Sequence, residues 1–317
     1  MKTRIMILSL CLAGALSVPA LALTTSSAEV ANAAPIAEDL SLTTYKGVAI
    51  SSRFAAVDPE GDLVTFQVVD SPARGQVSMD ENDPAAFCYT PYEGKKGKDS
   101  FTYVAIDSQG NTSKPATVKV VIQKQATNVT YSDMDGDPSH FAALRLAEAG
   151  VYTGRKVGEL YCFDPEDSFT REEFLTMAMT AAGTSPLQNV SLTGFYDDET
   201  ISAWAKGYVS AALVQGTVCG SRNDVGQTVF SPDRAVTQAE AAVIIDRLLE
   251  TGDVSASAFS AETAPAWAYQ SVVNMEAVSV LNSSTDLGKA LTRAQAAEML
   301  SAMLDVLDGR DSGGLFR

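Results

Sequence analysis

Two rhythms of apolar and polar positions divide the chain. Between Pro35 and Lys124 the segments "DLVTFQVV", "FCYTP", "DSFTYVAID" and "ATVKVVIQ" alternate the two kinds, favour Val, Thr, Tyr and Phe, and are separated by Gly, Pro and Asp. A period of two places one face of each segment in a core, so residues 35–124 are expected to form a small β-sandwich. From Tyr131 onward the apolar spacing lengthens, as in Ala241, Ile244, Ile245 and Leu248 and again in Ala296, Met299, Leu300 and Met303. That spacing predicts helices with one buried face. The polar run around residues 125–130 reads as a linker between the two regions.

The helices begin alike. Phe169-Thr170 with Glu173, Val236-Thr237 with Glu240, and Leu291-Thr292 with Gln295 each put an apolar residue, a Thr and a Glu or Gln in the same register. This is the capping-box pattern, in which the Thr hydroxyl and the later acid or amide satisfy helix N-terminal N–H groups reciprocally. Reading backward from each cap exposes a larger unit: helix, glycine-ended turn, Phe-x-Pro loop, capped helix. Gly150 and Gly154, then Gly216 and Gly220, end the first helix and open the loop, while Ser279 and Ser283 hold those places in the third copy. Phe163 and Phe230 stand seven residues before their caps, and the third copy has lost the Phe-x-Pro loop. Trp204 and Trp267 occupy equivalent positions in the second and third copies. Repeats that cannot bury their apolar faces alone require neighbours, which accounts for several copies in one chain.

The ordered set Asp, Trp-Ala, Gly-x-x-x-Gly, Phe-x-Pro, Thr-Arg-x-Glu resembles the S-layer homology (SLH) module, here in three tandem copies at residues 131–183, 195–250 and 258–308, the last degenerate. The resemblance implies a C-terminal all-α helical domain with pseudo-threefold symmetry that holds a surface protein non-covalently on an acidic, pyruvylated cell-wall polysaccharide. Carried onto this sequence, it implies glycan-binding roles for Arg171 and Arg293, for Asp133 and Asp197, for Trp204 and Trp267, and for Gly150, Gly154, Gly216 and Gly220. No copy is complete: the first lacks the Trp, the second has Gln238 for the Arg, and the third has Ala261 for the Asp. Core packing would equally explain the two Trp residues, and helix capping the four glycines.

The N-terminal segment carries its own resemblance. "VDPEGD" and "YTPYEGKKGKDSFTYVAIDSQGN" resemble the cadherin-like and Ig-like modules of bacterial surface proteins, a family able to bind calcium. Asp58, Glu60, Asp62 and Asp107 are the candidate oxygen ligands, although acid-Gly-acid loops are also ordinary turns.

Charge and chemistry narrow the function. Lys2 and Arg4, the apolar run after them and Ala20-Leu21-Ala22 read as a secretory signal over residues 1–22, followed by a disordered segment at 23–34; a disordered tail is expected at 309–317. An extracellular, envelope-bound location follows. The chain carries net charge −16, and the part from Tyr131 onward has 12 bases against 26 acids. Bulk attraction to nucleic acid is thereby excluded, and an anionic glycan must be held by local groups against an opposing field. No later run is long and apolar enough to span a bilayer. Cys88, Cys162 and Cys219, the three beyond the expected signal, are an odd number that cannot all pair within one chain, and a bridge between Cys162 and Cys219 is one alternative. A lone His140 and the lack of a nucleophile elbow or phosphate loop argue against an enzyme. The expectation is a non-catalytic surface protein that displays a sandwich, with its own protein partner, on an SLH anchor; the alternative is a structural or adhesion protein whose repeats keep the fold but not the glycan site.

Overall fold

The computed structural model describes residues 32–255, 263–281 and 286–312. The expected signal segment, Ala261 and Ser283 lie outside the described residues. The N-terminal region is an Ig-like sandwich of nine strands: β1 Ile36–Ala37, β2 Leu40–Tyr45, β3 Ile50–Arg53, β4 Ala56–Val57, β5 Thr65–Asp70, β6 Gly75–Met79, β7 Ala86–Pro91, β8 Gly97–Ile106 and β9 Ala116–Gln123. One sheet has the order β2-β9-β8-β5 and the facing sheet β3-β7-β6, with β1 and β4 as a separate pair. β2 runs parallel to β9, while the other pairings are antiparallel. The predicted alternation is visible in β9, where Ala116, Val118, Val120 and Ile122 face inward against Phe54, Phe87, Tyr89, Phe101 and Tyr103.

The C-terminal region repeats one unit. α1 (His140–Glu148), a hairpin of β10 (Arg155–Val157) and β11 (Leu160–Cys162), and α2 (Arg171–Ala181) form the first copy. α3 (Lys206–Gln215), β12 (Ser221–Arg222), β13 (Thr228–Val229) and α4 (Gln238–Leu249) form the second; α5 (Tyr269–Ala277) and α6 (Arg293–Ser312) form the third. The expected all-α description is therefore corrected: two copies carry a β-hairpin between their helices. The second glycine of each pair is what fits it there. Gly220 takes φ +71°, and a Cβ would meet the Phe195 ring at 2.6 Å and the Val229 carbonyl oxygen at 2.7 Å. α6 also runs to Ser312, four residues beyond the expected end of the repeat at 308.

All three capping boxes form. Thr170 and Glu173, and Thr237 and Glu240, exchange their reciprocal bonds, and Thr292 and Gln295 do the same at 3.1 and 3.2 Å. A capping box still leaves other N-terminal N–H groups of a helix without partners, and here each neighbouring copy supplies them. The N–H of Arg171 donates to the carbonyl of Arg234, that of Gln238 to Lys289 and that of Arg293 to Asp167, at 2.8, 3.1 and 2.6 Å. One residue on, Glu172 donates to Pro232, Ala239 to Leu287 and Ala294 to Pro165. The loop of copy two thus serves the helix of copy one, copy three serves copy two, and copy one serves copy three, which closes a ring. Phe169, Val236 and Leu291, the residues before the three caps, are fully buried in one shared core.

The sandwich is joined to this ring by more than a chain. Tyr45 and Val48 belong to the same buried cluster as the helices, and the Tyr45 ring stacks on Phe141 at 5.6 Å. The segment read as a linker is fastened as well, because the Glu148 carboxylate accepts from the N–H groups of Ala126 and Thr127 at 2.7 and 2.8 Å.

Candidate functional site

The ring places a cleft of about 450 Å³ where copies one, two and three meet. Arg171 reaches it from the first turn of α2, Gly220 from the turn entering β12, and Trp267 from the approach to α5, so each copy contributes one expected site residue. Glu240, Arg234 and Arg247 line it too.

Arg171 is only 11 % exposed and pairs with Glu240, itself 17 % exposed, at 3.2 Å. Its guanidinium lies 5.3 Å from the centre of the Phe230 ring, a cation–π arrangement. Burial pulls the Arg171 pKa down, and the Glu240 charge opposes that shift. Burial alone would raise Glu240, but the hydrogen bond from Arg234 and the charge of Arg171 hold it below its ordinary value. Arg247 is exposed, and its guanidinium donates to the carbonyls of Gly216 and Thr217 at 3.1 Å each. Three guanidinium groups and one carboxylate line the cleft, which gives it a local positive balance on an acidic chain.

The remaining expected residues are arranged differently. Arg293 is drawn inward: it donates to the Phe163 carbonyl at 3.2 Å, lies 3.4 Å from the Asp164 carboxylate and stacks 5.2 Å from the Phe169 ring. Asp133 accepts from the N–H groups of Phe163 and Asp164, and Asp197 from those of Phe230 and Ser231, at 2.7–3.0 Å. These carboxylates fasten the Phe-x-Pro loop to the start of its own unit, so their oxygens are committed to backbone rather than open to sugar hydroxyls. Trp204 and Trp267 are 55 % and 61 % exposed, which rules out core packing for both. Gly150 and Gly216 sit at helix ends with φ +69° and +78°, and a Cβ at either would point into open space, so conformation alone calls for glycine there, consistent with capping.

The expected calcium ligands do not converge. Asp107 spends both oxygens on Gln109, Asn111 and Asn32; Asp58 accepts from the N–H groups of Glu60 and Asp62; Asp62 accepts from Ser108; Glu60 accepts from Ala33. They act as turn locks. Among the described residues, the metal-type donors that gather within 4.8 Å are those of Asp133, Cys162 and Asp164 instead. Cys88, Cys162 and Cys219 are free thiols, so the Cys162–Cys219 bridge is not formed.

Sequence reasoning missed Arg234, Glu240 and Arg247 as cleft residues. Glu240 was visible only as a capping residue and Arg247 only as a base in the last turn of a helix, where it complements the dipole. Their convergence depends on the ring.

Comparison with known proteins bears on both regions. Residues 32–121 match the family model of the bacterial Ig domain. The N-terminal domain is Ig-like. The chain is 36% identical over 133 residues to the exoglucanase XynX of Acetivibrio thermocellus, covering 41% of this chain and 12% of that protein. It is 43% identical over 133 residues to the amylopullulanase of Thermoanaerobacterium thermosulfurigenes, 41% of this chain and 7% of the relative. A surface-layer 125 kDa protein of Lysinibacillus sphaericus is 28% identical over 132 residues, 40% and 10% of the two chains. The chain therefore spans about a tenth of the length of these relatives. Each aligned stretch is longer than the Ig-matched segment, so each includes residues outside it. Among solved structures, the SrpA adhesin of Streptococcus sanguinis is 17% identical at a TM-score of 0.22, covering 32% of this chain and 66% of that one. Among the described residues no helix is long and apolar enough to cross a membrane.

Proposed function

We infer that residues 131–308 form an SLH module with pseudo-threefold symmetry, and that the protein is a non-catalytic component of the cell envelope anchored through it to an acidic cell-wall polysaccharide. The closed ring of backbone bonds among the three cap segments supports the architecture. The observation that carries the function is the cleft in which Arg171, Gly220 and Trp267 converge from three copies beside Arg234 and Arg247. A ketal or uronic carboxylate would take charge-assisted, fork-like bonds from the exposed guanidinium groups, and the Trp267 ring would lie against a sugar face. Arg171, locked to Glu240, holds the floor of the cleft. The Ig-like domain is then the displayed part, with a protein partner of its own, and the whole is exported by the N-terminal signal.

A second reading has specific support. Arg293 is paired with Asp164, and Gln238 stands where the other two copies have arginine, so at two of the three inter-repeat positions the arginine is turned inward or replaced. On that reading the repeats keep the fold and the sandwich does the binding. Isotherms with purified acidic wall polysaccharide separate the two. Arg247→Gln should weaken binding about ten-fold, the loss expected for one charge-assisted bond, and added salt should weaken the wild type. Binding that is insensitive to both would remove this cleft from the function.

A further inference from the structure

A second cleft of about 490 Å³ lies one repeat further round the ring, at the junction of copies two and three. It is the counterpart of the first, and its chemistry has been changed in a matched way. Where the first junction pairs Arg171 with Glu240, this one pairs Gln238 with Gln295, the side-chain amide of Gln238 donating to Gln295 Oε1 at 3.3 Å. Both members of an ion pair are replaced by amides of similar reach, so the hydrogen-bonded link across the junction survives while its charge is gone. The other charges do not restore it. Lys289 is paired with Asp286 at 3.3 Å, which leaves Glu298 as the remaining charged group on the wall. Desolvation, and then the Asp137 charge, push the Glu298 carboxyl above its ordinary range.

We propose that this second cleft is a distinct subsite for an uncharged sugar residue, resting on the reading of the first cleft as a glycan site. Amide groups both donate and accept and so match hydroxyl-bearing rings, the volume falls in the range of small-ligand pockets, and a ligand carboxylate would meet a wall on which Asp286 and Glu298 outnumber Lys289. One chain would thereby recognise an acidic and a neutral residue of the same polymer, and each subsite would raise the effective concentration at the other.

The test uses the full chain and purified acidic wall polysaccharide, native and after chemical reduction of its carboxylates to alcohols. Reduction removes the ligand of the first cleft and spares that of the second. The wild type should bind native polymer more tightly than reduced polymer and retain measurable binding to the latter. That residual binding should fall at least five-fold in Gln295→Glu, which keeps the acceptor for the Thr292 N–H but adds charge, and in Ala302→Trp, which fills the cleft; a thermal melt of each variant checks folding. Residual binding unchanged in both folded variants, or absent while native polymer still binds, would overturn the proposal and leave the first cleft intact. A preference for the same polymer bearing free amines would equally overturn it, showing a cation site. Failure of native polymer to bind would instead defeat the anchor reading on which it rests.

Discussion

The Arg171–Glu240 pair can be replaced by the solution the protein itself uses one junction away. Arg171→Gln leaves Glu240 partly buried with Arg234 and the Thr237 N–H as its remaining partners. Breaking a buried pair from one side costs about 3–5 kcal/mol when nothing replaces the lost partner. Because Arg234 stays, about 2–3 kcal/mol is expected here, including the loss of the cation–π contact with Phe230. Glu240→Gln should cost a similar amount by leaving Arg171 buried without its counter-charge. The double variant recreates the Gln238–Gln295 arrangement, whose acceptor also serves the cap N–H at Thr292. It should lose only the exposed Arg234–Glu240 pair and the stacking, about 1–2 kcal/mol in all. Urea unfolding of the four proteins, followed by far-UV circular dichroism, gives the cycle. A double variant whose loss equals the sum of the single losses to within about 0.5 kcal/mol would refute the claim that the two junctions are interchangeable versions of one lock.

Other predictions follow from the same geometry. Ser279 holds the left-handed position that Gly150 and Gly216 hold in the other copies, at φ +58°, so Ser279→Gly should stabilise the chain by roughly 0.5–1 kcal/mol, read as a raised urea midpoint; no gain would mean that the strain is absorbed elsewhere. Trp267→Ala should weaken polysaccharide binding with little change in melting temperature, since the ring is exposed; a large stability loss would mark it as structural. The Lys206 ammonium, with the Thr193 N–H and hydroxyl, holds Asp198 at about 2, down from 3.8. A depressed carboxyl contributes stability that is present above the unfolded value and lost as pH falls through the folded one, so the difference in melting temperature between wild type and Asp198→Asn should be full above pH 4 and shrink toward pH 2. A constant difference across that range would show that the carboxylate is not the group responsible.

Much of the fold was legible because it rests on local rules. The alternation of β9 and the three capping boxes are read within a few residues, and the structure keeps both. The hairpins were not legible: Ser221–Arg222 and Thr228–Val229 are two-residue strands, too short for any period to register. The site was half legible. Arg171, Gly220 and Trp267 could be named from the repeat, but their meeting in one cleft is a property of ring closure. The inward turn of Arg293 depends on Asp164, an x residue of the Phe-x-Pro loop where the second copy carries Ser231. The likeness between copies hid that difference, since the motif fixes Phe and Pro and leaves the intervening side chain free. The candidate calcium ligands show a related ambiguity: acids spaced for a turn and acids spaced for a metal are alike in sequence, and the structure adds that backbone N–H groups bond to Asp58 and Asp107.

On the proposed function, the ring of three copies holds this protein on wall polysaccharide. Co-sedimentation of the full chain with purified cell walls, before and after chemical removal of the polysaccharide, tests it most directly. The protein should pellet with intact walls, remain in solution with stripped walls, and be displaced by soluble acidic polysaccharide. Equal pelleting with intact and stripped walls, or none with either, would contradict it.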